Sequence, residues 1–310
     1  MKKVKKYLGM FSPFNNQDEM PAAVYIIKKL FAFWLIYILA SILQQIVVTG
    51  AFFIGGYDPV GGVLPAENVQ TVVLYYGFAL YLLLTFLYCK RIEKRSIKST
   101  GFTRKISDYI TGAGIAVLLL LVIMGICCIA GAISFTGIND DRQMSYVIAL
   151  LGGLIVQGAA EEAMCRGFLM TSLLKKASVP TAVFWSATMF ALPHFGNLFA
   201  SDSKYAAVGL LNIYLISAIF SLLMLYRRNI WISCGLHSIW NFIIYGVLGL
   251  VLSGQDAAEG FLCFEAEKTG LLTGGAYGIE SSIVTTVVLA VFLVVIYRIW
   301  SRERRKTDGI

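Results

Sequence analysis

Charge is scarce in this chain. Of its 310 residues only 14% are Asp, Glu, Lys or Arg, 58% are hydrophobic, and the mean hydropathy is +0.74. So little charge excludes an ordinary soluble domain. Histidine is nearly absent, with two residues in all. The six cysteines (89, 127, 128, 165, 234, 263) have no C-x-x-C spacing, which argues against both a thiolate metal site and a disulfide framework. Five of them fall in apolar runs, where they read as small packing residues. No G-x-S-x-G elbow, H-E-x-x-H pair, low-complexity segment or internal repeat is present. No basic stretch is interleaved with aromatics, so nucleic acid is not expected as a partner.

What the chain does have is long apolar runs. A helix needs roughly 18 or more such residues to cross about 30 Å of hydrocarbon. Runs of this kind occupy 30–54, 71–89, 110–133, 145–174, 181–199, 206–226, 231–252 and 281–300. The expected fold is all-α: a polytopic membrane protein of about eight transmembrane helices around an intramembrane cavity, one integral domain over 1–310. The first run lacks a small-residue cleavage pattern, so it reads as a retained helix and not a signal peptide.

Basic residues set the orientation, because Lys and Arg stay in short cytoplasmic connections. With both termini inside, 22 of the 26 Lys and Arg fall on the cytoplasmic side, in the N-terminal arm, 90–105, 175–176, 227–228 and 298–306. Ten acidic residues fall on the other side, among them Asp58, Glu265 and Glu280. The net charge of +8 thus reflects topology and attraction to anionic membrane lipids. The expected location is a bacterial cell membrane. The Gly-rich, acidic segment 253–280 is a lid or a linker.

Against this background, AAEEAMCRGFL (159–169) stands out. Each charged side chain near the middle of a lipid-embedded helix costs on the order of 3 kcal/mol. Glu162 and Arg166 are four apart, share a helix face and can neutralise each other. Glu161 points about 100° away and is left unexplained by that pairing. Both histidines also sit inside apolar runs. His194 follows Phe190 by four residues in FALPHFGN, next to Pro193, which weakens the helical ladder there. His237 precedes Asn241 by four in GLHSIWNF. At 1.5 Å per residue Glu161 lies about 15 to 20 Å from the cytoplasmic end of its run, His237 about 10 Å, Asn241 about 16 Å and His194 about 20 Å. All can meet in one cavity near mid-membrane, displaced towards the cytoplasm.

A carboxylate, two imidazoles and an amide in a wet pocket suit hydrolysis of a carbonyl compound. The carboxylate or a neutral imidazole takes a proton from water, and Asn and His donate to the developing oxyanion. Zinc held by Glu161, His194 and His237 is the other possibility. Asn241 is a poor zinc ligand, so metal-free water activation is favoured.

The ordered set E-E-x-x-x-R (Glu161, Glu162, Arg166), F-x-x-x-H (Phe190, His194) and H-x-x-x-N (His237, Asn241) resembles the CPBP family of CAAX proteases and bacteriocin-processing enzymes, also called Abi. The likeness covers about 140–250. It implies an intramembrane endopeptidase in which Glu161 and His194 activate water and His237 and Asn241 form the oxyanion hole. Glu162 and Arg166 then support the site. The family has been described both as metalloproteases and as glutamate-dependent proteases, so the resemblance leaves the metal open. The expected substrate is a peptide or protein reaching the cavity from the membrane or the cytoplasmic side, with roles in peptide maturation or bacteriocin self-immunity. A membrane binding or transport protein using the same polar cluster is the alternative, and an inactive immunity scaffold a third reading.

Overall fold

The computed structural model describes residues 9–15, 19–140, 143–255, 260–266 and 270–308. The basic residues at 2–6, and parts of the acidic segment (256–259 and 267–269), lie outside them. The described chain is mostly helical. Six helices are long and apolar enough to cross a membrane: Ala22–Ile54, Glu67–Arg91, Asp108–Ile129, Met144–Leu173, Ser203–Arg227 and Ile283–Lys306. They correspond to six of the eight predicted runs. The run at 181–199 folds as an interrupted helix, and that at 231–252 is helical only as far as Val247.

We number the helices α1 (Ala22–Ile54), α2 (Glu67–Gly77), α3 (Ala79–Arg91) and α4 (Asp108–Ile129), followed by α5 (Met144–Glu162). A π-helical stretch, Ala163–Met170, and a last turn continue α5 to Leu173. Then come α6 (Val179–Ala191), a 3-10 turn at Leu192–His194, and α7 (Phe195–Ala200). They are followed by α8 (Ser203–Arg227), α9 (Trp231–Phe242) with a π-turn at Ile243–Val247, and α10 (Ile283–Asp308). The 3-10 turn falls at Pro193, whose missing N–H breaks the ladder.

The mostly helical chain also carries one small feature that the sequence reading did not include. Two short strands, β1 (Ile133–Ile138) and β2 (Leu262–Ala266), pair antiparallel with a bulge between Phe135 and Gly137. They come from the two connections on the acidic side, and the rings of Phe135 and Phe264 meet edge to face at 5.5 Å. These segments belong to no helix, so their backbone groups need partners from elsewhere in the chain. Pairing with each other supplies the missing hydrogen bonds.

Close backbone contact places the helix that carries His237. A Cβ on Gly112 of α4 would run into the backbone carbonyl of Ile232, and one on Gly235 of α9 into that of Tyr109. On its other side α9 meets α5, where a Cβ on Gly158 would come within 3.1 Å of Ser238. Small residues let helices in lipid approach this closely, where packing and not hydrophobicity drives association. The start of α9 is pinned as well. Asp108 accepts from Arg227 and, at 2.7 Å, from Asn229 Nδ2, while Trp231 Nε1 donates to the Thr103 carbonyl at 2.8 Å.

Some of the basic residues counted on the predicted cytoplasmic side are not surface charges. Lys28 and Lys29 are buried; Lys28 donates to the Asn15 carbonyl at 2.9 Å, and Lys29 pairs with Glu93. Arg95 Nε also reaches Glu93, at 2.7 Å, and Ser172 Oγ donates to it at 3.2 Å. This buried ionic group ties the end of the α5 continuation to α1 and α3. All six cysteines are free; Cys89, Cys127, Cys165 and Cys234 are buried, Cys263 is half-buried and Cys128 is exposed.

Candidate active site

Every one of the eight residues in the π-helical stretch Ala163–Met170 is buried. Arg166, fully enclosed, lies at its centre. Its Nη1 donates to Glu162 Oε1 at 2.8 Å, and its Nη2 donates to the Ser217 carbonyl at 3.1 Å and to Ser217 Oγ. Its guanidinium also lies over the rings of Phe190 and Phe220, 4.6 and 5.0 Å from their centroids. An arginine in such a setting is neutralised, hydrogen-bonded and stacked at once, the conditions under which a buried cation is tolerated.

Glu162 passes this anchoring on to His237. The carboxylate oxygen that accepts from Arg166 also accepts from His237 Nδ1 at 3.1 Å. A carboxylate can only accept, so Nδ1 carries the proton. The imidazole is further held flat against Phe220, stacked at 5.1 Å and 18°, with Phe190 edge-on at 5.6 Å. Its other nitrogen, Nε2, lies 3.6 Å from Glu161 Oε2.

Glu161 therefore occupies the position the pairing of its neighbour could not explain. It turns from the Arg166 face into a cavity of about 350 Å³, where its side chain keeps 21% exposure. No described residue hydrogen-bonds Oε2. His194 and Asn241 line the same cavity, with Tyr37, Tyr75 and Tyr81 along the wall. The structure thus brings Glu161, His194, His237 and Asn241 onto one cavity, and places Glu162 and Arg166 behind it.

The tautomer of His194 follows from its partner. Nδ1 lies 2.9 Å from the Phe190 carbonyl, which can only accept, so Nδ1 bears the hydrogen and Nε2 presents a lone pair. Phe190 thus serves His194 through its backbone, while its ring packs at 5.2 Å from the imidazole. Asn241 donates one Nδ2 hydrogen to Gln157 Oε1 at 3.0 Å, leaving the other for a ligand. Gln157 sits one turn before Glu161 on α5 and is buried on the same cavity. Sequence reading passed over it and over Ser217 and Phe220. The available signal was a lone glutamine at i, i+4 from a membrane-embedded glutamate.

The zinc alternative finds no support in the donor set. Among the described residues no three His, Cys, Asp or Glu side chains are grouped as a metal ion requires. The Nδ1 hydrogen bonds of His237 to Glu162 and of His194 to the Phe190 carbonyl orient both rings with Nε2 away from those partners, and such contacts accompany metal-ligating and acid–base histidines alike. The arrangement suits proton transfer at Glu161 and His194 and hydrogen-bond donation from Asn241 and His237.

No curated protein matches the chain. Residues 143–243, which carry all seven motif residues, match the family model described as Type II CAAX prenyl endopeptidase Rce1-like, the same group of membrane proteases that the three sequence motifs resemble.

Proposed function

We propose that this integral membrane protein is an intramembrane endopeptidase of the CAAX type, hydrolysing a peptide bond in a membrane-associated protein or peptide. One observation carries the reading: Glu161, with a carboxylate oxygen that no described residue hydrogen-bonds, shares a cavity with His194, His237 and Asn241. Water held between Glu161 and His194 Nε2 attacks the scissile carbonyl and gives up its proton to one of them. The oxyanion that forms accepts from the second Nδ2 hydrogen of Asn241 and from His237. For His237 to donate there, Nε2 must be protonated as well as Nδ1, making the ring an imidazolium between the two carboxylates. The tetrahedral intermediate then collapses, the C–N bond breaks, and the leaving amine takes the proton back. Arg166 and Glu162 hold His237 in place throughout. No step is routed through a metal, because the residues present do not converge on one.

In the same reading the chain crosses the membrane eight times, the helical segments at 179–200 and 231–247 being the fifth and seventh crossings, with both termini cytoplasmic. The protein matures peptides or serves self-immunity against a bacteriocin. The test is cleavage of a farnesylated CAAX peptide by the purified protein in lipid, wild type beside Glu161→Ala. Cleavage by the wild type alone is expected, and equal cleavage by both proteins would remove Glu161 from the chemistry.

A further inference from the structure

The residues around the cavity are ordered by depth. At 1.5 Å per residue, Phe220 and His237 lie about 10 Å from the ends of α8 and α9 that join the basic connections, and Glu161 about 18 Å from the corresponding end of its helix. They form one end of the cavity. Beyond them, towards the basic side, packing is closed: Phe168, Leu169, Met170, Leu173 and Ile230 are fully buried. No residue of the basic connections at 92–107, 174–178 or 228–230 lines the cavity.

The opposite end has a different border. Leu252, Ser253, Gln255 and Glu280, all from the long connection on the acidic side, line it. Asn212, about 13 Å into α8 from its acidic-side end, and Thr285, near that end of α10, join them. The border is fixed in place: Glu280 accepts from Trp240 Nε1 at 3.0 Å and from the Ser253 backbone N–H and Oγ at 2.7 and 2.8 Å. Tyr75 donates to Gln255 at 2.9 Å. The cavity therefore runs from the candidate catalytic residues towards the acidic face, away from the face that holds most Lys and Arg.

Combining this direction with the retention of basic connections in the cytoplasm, we propose that the substrate is an extended peptide segment entering from the extracytoplasmic side. The proposal rests on the protease reading of the same site and names its substrate class. Glu161 lies about 25 Å along its helix from the acidic-side end at Met144. A chain extended at about 3.3 Å per residue needs about eight residues to span that depth. Such a substrate is an unstructured tail or linker of a secreted or membrane-anchored polypeptide, not a bond inside a folded domain. Side-chain amides and phenols such as Gln44, Gln157, Asn197 and Tyr37 line the way and can hydrogen-bond its peptide groups. This direction differs from the cytoplasmic approach that sequence depth alone favours.

The test needs no turnover, so it fails or succeeds independently of the cleavage assay. In the full chain carrying Cys128→Ser and Cys263→Ser, Ser41→Cys places a thiol on the cavity wall, and Ser99→Cys places one on the exposed basic connection. The probe is methanethiosulfonate ethyltrimethylammonium, a small impermeant cation suited to a cavity bearing carboxylates. It is applied to sealed right-side-out and inverted membrane vesicles, with the parent lacking either new thiol as background. Modification of Ser41→Cys in right-side-out vesicles, lost when the reagent reaches only the inner face, is the expected result, with the reverse for Ser99→Cys. Modification of Ser41→Cys from the inner face, from both faces or from neither overturns the proposal. Asn197→Cys, exposed at the outer part of the cavity, repeats the measurement should Ser41→Cys fail to fold.

Discussion

Glu161, Arg166 and Gln157 meet three different demands, and each predicts a different loss. Glu161→Ala removes the cavity carboxylate without touching the buried pair, so the variant should purify and unfold like wild type yet show no turnover. Arg166→Ala leaves Glu162 buried without its cation, a change that costs about 3–5 kcal/mol where a buried pair is broken. Thermal unfolding in detergent should show a much lower Tm; an unchanged Tm would falsify the structural role given to the pair. Gln157→Ala frees the Asn241 carboxamide to rotate. Because an oxyanion donor is worth on the order of 100-fold or more in kcat, mispositioning it should lower kcat by at least about tenfold with little change in KM. A loss confined to KM would place Gln157 in substrate binding instead. The Glu162–Arg166 contact was legible from i, i+4 spacing, and so was the separate direction of Glu161. Gln157 was not, because one glutamine in an apolar run looks the same whether it faces a cavity, a neighbouring helix or a headgroup.

Helix geometry carries the site through two devices. The first is the wedge of α9 between α4 and α5, which depends on Gly112, Gly235 and Gly158 having no side chain. Gly235→Leu should push α9 off α4, destabilise the protein and move His237 away from Glu162. Loss of Tm together with loss of activity is expected, and a stable, active variant would show that the contact is not needed. The second device is the break at Pro193. Pro193→Ala allows α6 to run on through Leu192 and His194, which rotates the imidazole relative to Glu161 while restoring a ladder hydrogen bond. Activity should fall while stability holds or rises, a combination that a purely structural proline would not produce. The break at Pro193 could be read in advance from proline chemistry. The two π-helical stretches could not, since their composition is ordinary and an i, i+5 ladder arises from how the buried faces of 163–170 and 243–247 must pack.

Taken together, the helices form an integral membrane protein with a cavity running to its acidic face. If basic connections orient it as proposed, reporter fusions at the N- and C-termini should both report the cytoplasm; a split result would require an odd number of crossings. Apolar length found the six long helices, because bilayer thickness sets that scale. It could not separate a full crossing from an interrupted helix, as at 179–200, where the ladder breaks at Pro193 beside the cavity. Nor could it foresee that 133–138 and 262–266, far apart in sequence, would pair as strands. Lys28, Lys29 and Glu93 show the same limit in another form. Their composition counts as cytoplasmic charge, yet their burial is decided by what packs over them.

Hydropathy, charge asymmetry and i, i+4 spacing act along the chain, so the membrane class, the positions of the long helices and the pairing of Glu162 with Arg166 can be read from residue order alone. Convergence cannot. That Glu162 bridges Arg166 to His237, that Gln157 holds Asn241, and that the cavity is sealed on the basic side and bordered by 252–255 and Glu280 on the other all depend on contacts between helices dozens of residues apart. Those contacts are set by backbone approach at glycines and by the satisfaction of buried polar groups, which residue order constrains only through the packed fold.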